Sequence, residues 1–235
     1  MRSVDPRTSK AQLRSRIRSA RANPPGAEAS PGSPTSSSPL RPTPAEAGPG
    51  SVAAPAWDLI SSRPIRSLLA YAALPGEPDL DPALDRFLAS GGTVYLPVVT
   101  EVGRPLRFGR VTGSMASLEP QGRWGIREPH QDTELLSPAQ LLSAEVGLDL
   151  VFIPALGFGA DGARLGNGGG FYDRTFGPHG VAPLEGGPRV IGVCFARELD
   201  LPGLVAEDWD LRIPAAVTER GLRTFDSART QSDGA

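Results

Sequence analysis

Strands alternating with helices between residues 57 and 218, two apolar runs, and a glycine-rich loop downstream of the first run predict an α/β fold. The sheet is expected to be mostly parallel and flanked by helices, in a Rossmann-like three-layer arrangement. Residues 148–154 and 189–195 carry the two runs and read as strands covered on both faces. Ligands in such sheets sit beyond the carboxyl ends of strands, which is where the loop 161–173 lies.

The elements follow in chain order. Residues 9–21 form an amphipathic helix: Leu13, Ile17 and Ala20 recur at helical spacing, Lys10, Arg14, Arg18 and Arg21 face elsewhere, and Ser9 can cap it. Residues 23–55 are rich in Pro, Ser, Ala and Gly. They have scarcely an apolar side chain to offset the entropy of ordering, so a disordered insert or linker is expected. That insert leaves open whether the basic helix docks at all. Residues 57–62 are a short helical piece, and 66–73 a compact apolar stretch, strand or helix end. Leu84, Phe87 and Leu88 share one face of a helix over 81–89, which Gly91 and Gly92 end. Strands are expected at 93–100 and 106–111, a loop carrying Trp124 at 122–129, and a short helix at 137–146. A helix opens at the end of the glycine loop and runs through 172–176; 211–218 is a last short strand. The expected division is a basic helix (1–22), an insert (23–55), an α/β domain (56–225) and a frayed tail (226–235).

The loop carries the chemistry. Asp161 to Asp173 reads Asp-Gly-Ala-Arg-Leu-Gly-Asn-Gly-Gly-Gly-Phe-Tyr-Asp, with five glycines in thirteen residues. Glycine tolerates positive φ and lets backbone N–H groups approach a ligand closely. Successive N–H groups form a nest for anions, and a helix starting at Phe171 aims its positive end at the same point. Arg164 adds a fork of donors for phosphate oxygens, and Asp173 can hold magnesium. The plain alternative is a flexible surface turn. Just upstream, Gly157 to Gly162 matches G-x-G-x-x-G, but the dinucleotide fingerprint needs a helix to open there. Asp161-Gly162 reads instead as a turn, which rejects a nicotinamide site.

Composition excludes several classes. The net charge of −2 creates no global field for nucleic acid. Residues 1–22 hold seven basic and one acidic side chain, and the rest holds seventeen and twenty-five. Lys10 is the only lysine against twenty-three arginines, which suits a compact point charge on a phosphate, or is chance. The Arg-rich start followed by a Ser-rich stretch also fits a transit peptide. The single cysteine, Cys194, sits in an apolar run and is expected to be buried and inert. It fits a reducing compartment. No run of eighteen apolar residues is present, so no membrane span is expected.

Arg164, Leu165, Gly166, Asn167, Gly168, Gly169, Gly170, Phe171, Tyr172 and Asp173, preceded by Val151-Phe-Ile-Pro-Ala155, resemble the signature of the 5-formyltetrahydrofolate cyclo-ligase family. Other segments agree in order. Lys10, Ala11, Gln12, Leu13 and Arg14 resemble its N-terminal phosphate-contacting helix; Gly76-Glu77-Pro78 resembles its substrate loop. Leu96-Pro97-Val98, the segment from Trp124 to Pro129, and the segment from Trp209 to Pro214 resemble its later motifs.

The resemblance implies an ATP- and Mg2+-dependent cytoplasmic enzyme converting 5-formyltetrahydrofolate to 5,10-methenyltetrahydrofolate. A monomer acting on small molecules, with no nucleic acid or membrane, is implied. It carries ATP binding onto Lys10 to Arg14 and Arg164 to Tyr172. It carries substrate binding onto Ala72, Glu77, Trp124, Gly168, Gly169, Gly170 and Phe171, and metal binding onto Asp173 and Asp210. The alternative is a homologue that binds nucleotide or folate for regulation and does not turn over. The chain departs from the family pattern at Asn167, where Arg or Tyr is common, at Phe171, where Tyr is common, and in the insert.

Overall fold

The structure is a computed structural model that describes residues 6–23, 50–121, 125–184 and 187–225. The described chain opens with α1 (Pro6–Ala22), α2 (Ala53–Ser61), β1 (Ser67–Leu69), α3 (Asp81–Ala89), β2 (Thr93–Val98) and β3 (Arg107–Arg110). The middle contributes β4 (Glu119–Gln121), β5 (Ile126–Glu128), β6 (Leu135–Leu136), α4 (Pro138–Leu141) and β7 (Leu150–Pro154). Then come β8 (Gly157–Phe158), β9 (Arg164–Leu165), α5 (Phe171–Phe176), β10 (Arg189–Val193), β11 (Ala215–Thr218) and β12 (Gly221–Thr224).

The main sheet has the order β12-β11-β10-β7-β1-β2-β3-β6. Its central strands β11, β10, β7, β1 and β2 are all parallel, and β12, β3 and β6 add antiparallel edges. In chain order the parallel strands lie 2-1-3-4-5, a doubly wound arrangement that reverses direction between β1 and β7. Side chains alternate across a strand, so an apolar run feeds both faces. Leu150 and Phe152 pack with Val52, Ala56 and Ile60 of the α2 region and Leu84 and Phe87 of α3. Val151 and Ile153 pack on the other face with Leu141 of α4, Phe158 and Phe176 of α5. Cys194 lies in that second core, and burial pushes its thiol pKa up, as an inert thiol requires.

The helix expected at 81–89 and the strands near 93, 107, 150 and 189 form within a few residues of the expected bounds. Other readings need correction. α2 begins at Ala53, inside the segment read as insert, because Val52, Ala53 and Ala56 are buried against the sheet. The helix expected at 137–146 lasts only from Pro138 to Leu141. Ser137 and Gln140 close a capping box at its start, and the chain turns out through Gly147 at φ +56°. The loop expected at 122–129 contains β5, paired with β4, where Pro120 and Pro129 mask the strand pattern. β12 escapes the reading because three of its four side chains are exposed. Gly157 to Gly162 belongs to the β8–β9 hairpin, with Gly162 at φ +79°, so no helix opens there. The expected tail at 226–235, most of the insert and Trp124 lie outside the described residues.

α1 docks. Leu13 and Ile17 pack with Leu156, Ala163, Leu165, Leu201 and Leu204. Arg21 closes the far end: its guanidinium reaches Glu198 at 2.8 Å and 2.7 Å and donates to the Ala155 carbonyl at 2.9 Å. Both side chains are almost fully buried, 6% and 3% exposed. Glu198 accepts the Phe195 N–H as well, so the pair is satisfied rather than merely neutralised.

Removing one partner of a buried pair strands the other charge, at a cost of about 3–5 kcal/mol. Arg21→Ala should therefore release α1 while the sheet stays folded. Limited proteolysis should cut within 6–22 far faster than in the parent, with little change in the thermal unfolding of the remainder. Equal cleavage rates would show that Arg21 is not the anchor.

Candidate active site

A cleft of about 820 Å³ opens at the carboxyl ends of the parallel strands. Tyr71 and Ala72 follow β1, Pro97 and Val99 close β2, and Pro154 ends β7; all five line it. It therefore straddles the point where strand order reverses, the crevice such sheets leave open for ligands.

The glycine loop forms one wall. Gly168 and Gly170 take φ of +98° and +64°, the left-handed region that a Cβ disfavours, and Gly170 caps the start of α5. Arg164, 5% exposed, lies beneath it, with its Nη2 2.8 Å from Asp173 Oδ1. Its Nε is buried with no hydrogen-bond partner among the described residues. Arg174 donates to the Gly169 carbonyl.

α1 forms the opposing wall, and its cations reach the 207–210 turn and then the loop in sequence. Lys10 Nζ sits 2.7 Å from Asp210 Oδ2 and 3.0 Å from Glu207 Oε2. Arg14 Nε donates to the Gly166 carbonyl at 2.9 Å. Arg18 donates to the Asn167 carbonyl at 2.7 Å and to its side-chain oxygen at 3.3 Å. Asn167 Nδ2 then donates to Glu77 Oε1 at 3.1 Å, and the other Glu77 oxygen accepts the Leu74 N–H at 3.1 Å. One chain of bonds thus runs from the helix through the loop to the carboxylate expected to hold substrate.

The charges tune one another. Burial works to lower the Lys10 pKa, but Asp210 and Glu207 outweigh it and hold it above the ordinary lysine value. Burial works to raise the Asp173 pKa, and Arg164 with the Leu211 N–H outweighs it, so the carboxyl stays below the usual range. Tyr71 and Tyr172 are raised, chiefly by burial, so both remain neutral phenols.

Lys10, Arg14, Ala72, Glu77, Arg164, Gly166, Asn167, Gly168, Gly169, Gly170, Phe171, Tyr172, Asp173 and Asp210 all line the cleft. Four expected contacts do not. Leu13 and Leu165 are buried in the packing between α1 and the β8–β9 hairpin, while Ala11 and Gln12 face solvent on the far side of α1. Helical spacing explains this, since only one face of α1 meets the loop. Lys10 and Asp210, expected to bind a phosphate and a metal separately, pair with each other, as do Arg164 and Asp173. Partly buried opposite charges at such distances hold each other in the ionised form. Sequence reasoning missed Arg18, Tyr71, Arg174, His179, Glu207 and Trp209, all on the cleft. Arg18 was legible as the next turn after Arg14; Glu207 carried no signal of its own.

Among the described residues no group of three or more His, Cys, Asp or Glu is gathered to cage a metal. Magnesium does not need one: it keeps waters and takes one or two carboxylates plus phosphate oxygens. The bonds that Asp173 accepts from other residues end on Oδ1, and those that Asp210 accepts end on Oδ2. Each therefore has a second oxygen that accepts no bond from another described residue, and a carboxylate of that kind suits a water-rich ion.

Comparison with known proteins agrees with this architecture. The 5-formyltetrahydrofolate cyclo-ligase from Mycolicibacterium smegmatis is 34% identical over 164 residues, covering 67% of this chain and 76% of that protein. The Escherichia coli protein of that name is 30% identical over 158 residues, covering 65% and 77%. Among solved structures, the Aquifex aeolicus 5,10-methenyltetrahydrofolate synthetase superposes with a TM-score of 0.62 at 23% identity, covering 94% of this chain and 95% of that one. That likeness shows the fold. The family profile of the 5-formyltetrahydrofolate cyclo-ligases matches residues 6–219, from α1 through β11, and the chain belongs to that family.

Proposed function

We propose that this protein closes 5-formyltetrahydrofolate to 5,10-methenyltetrahydrofolate while ATP becomes ADP and phosphate. The observation that carries the reading is the joining of two chemistries in one cleft. A cationic, glycine-walled track for phosphates is bonded through Asn167 to Glu77, a carboxylate suited to pterin N–H donors.

The formyl oxygen attacks the γ-phosphorus as the bond to ADP breaks, giving an iminium phosphate. N10 then attacks the activated carbon, phosphate departs with the former formyl oxygen, and N10 loses its proton. Phosphoryl transfer of this kind asks for positioning and charge neutralisation more than for a side-chain nucleophile. Lys10, Arg14 and Arg164 supply the charge, and the loop N–H groups add donors. Glu77 orients the pterin by accepting its N–H groups, and Phe171 and Tyr172 offer flat walls for the rings. Asp173 and Asp210 would hold magnesium, which when bound shares the phosphate charge. We place the reaction in the cytoplasm, on a monomer that needs neither nucleic acid nor membrane. The free, buried Cys194 fits a reducing compartment, and no helix among the described residues is long and apolar enough to cross a membrane.

Two measurements test this. Mg-ATP and 5-formyltetrahydrofolate together should yield the methenyl absorbance with one ADP per product, and omitting either nucleotide or magnesium should stop it. Methenyl product without ADP would sink the mechanism. Glu77→Gln should weaken folate binding by about 1–3 kcal/mol, the cost of leaving a buried donor unpaired, and leave ATP binding nearly intact. Equal losses for both ligands would make Glu77 a loop support instead.

A further inference from the structure

The cleft has a direction that the proposed reaction must respect. A triphosphate donor has to present its γ-phosphate to the formyl group, close to the pterin. Its α-phosphate and nucleoside then lie at the end of the cation track away from Glu77. Glu77 is tied to the track at Asn167. The opposite end is Lys10, clasped by Glu207 and Asp210. Between those two carboxylates in sequence stands Trp209, which lines the cleft together with His179.

Trp209 is an unusual surface residue. It is 51% exposed, and the other large exposed hydrophobics among the described residues are aliphatic: Val102, Val181, Val205 and Leu222. Its indole has no ring or guanidinium partner among the described residues, whereas Trp57 lies 4.0 Å from the Arg86 guanidinium. Yet its backbone is held firmly. Asp210 N–H donates to the Glu207 carbonyl at 3.0 Å, and Glu207 N–H donates to Asp210 Oδ2 at 2.8 Å. Gly177 packs so closely that a Cβ there would come within 2.8 Å of the Trp209 carbonyl oxygen. A flat apolar ring on a fixed turn loses little freedom on binding, and its face suits another flat ring.

We propose that Trp209 is the platform on which the purine base of the nucleotide stacks. The assignment rests on the ATP reading above and extends it to the base. The turn that carries the platform also carries both partners of Lys10, so base and phosphate contacts are fixed relative to one another. Stacking is tolerant of base identity because every base has a π-face, so the ring sets affinity for nucleosides as a class.

Inorganic tripolyphosphate, which has the phosphates but no base, separates the two contributions. Magnesium complexes of ATP and of tripolyphosphate would be titrated into the full chain and its Trp209→Ala and Trp209→Phe variants by calorimetry. Trp209→Ala should weaken ATP binding about tenfold or more, the scale of one base–aromatic stack, and leave tripolyphosphate binding within about twofold. Trp209→Phe should restore most of the loss. ATP should quench a tryptophan emission component that Trp209→Phe lacks, although Trp57 and Trp124 remain, and tripolyphosphate should not. Unchanged ATP affinity in Trp209→Ala overturns the platform while leaving the ATP reading intact. Weakened folate binding with ATP binding preserved also overturns it, because the ring would then serve the substrate's aromatic segment. No ATP binding by the unsubstituted protein overturns the functional reading and the platform with it.

Discussion

One wall of the site depends on a lysine ammonium held between carboxylates some two hundred residues away in sequence. Without that clasp and the Arg21–Glu198 pair, α1 would lose the contacts that fix both of its ends. Most of the stability of a helix in a protein comes from the packing of its apolar face. The docking of Leu13 and Ile17 supplies the packing, and the ion pairs at both ends fix where it happens. The intervening low-complexity segment need not be structured for this to work. Loop closure costs grow only logarithmically with length, so a long connection barely weakens the docking of its ends.

The cleft also solves a charge problem. In the proposed reaction a track for three phosphates gathers cations, and cations held together in a protein repel one another and lose hydration. Lys10 and Arg164 are each matched to a carboxylate that lines the cleft, Asp210 and Asp173. Those carboxylates fix the cations in position, so little reorganisation is needed when charge develops at the reacting phosphate. Glu77 stands apart from this pairing: its hydrogen-bond partners among the described residues are a side-chain amide and a backbone N–H, and in the proposed reaction its negative charge serves the pterin.

Much of this was legible in the sequence, and the gaps have physical causes. The parallel core could be read because strands buried on both faces must be apolar along their length, as Val151, Phe152 and Ile153 are. The glycine loop could be read because left-handed backbone at Gly168 and Gly170 restricts the residue type. Short, solvent-facing pairings such as β4–β5 and β12 leave no periodic trace. The pairing of Lys10 with Asp210 joins distant segments, and nothing local marks it. Asn167 shows the limit from the other side. In sequence it was one residue of the expected nucleotide loop and a departure from the family pattern; in space it joins Arg18 to Glu77.

The direction of the loop N–H groups follows from the arginines that hold it. A trans peptide is planar, with the carbonyl of one residue and the N–H of the next pointing opposite ways. Arg14 binds the Gly166 carbonyl, Arg18 that of Asn167, and Arg174 that of Gly169, and the described peptides are all trans. The N–H groups of Asn167, Gly168 and Gly170 must therefore turn away from those guanidinium groups, and none of them donates a backbone–backbone bond outside the regular elements. The arginines thus act twice. In the proposed reaction they carry positive charge for phosphate, and by occupying carbonyls they leave the loop's donors to an anion. Glycine is needed because only it follows the backbone path this demands at 168 and 170.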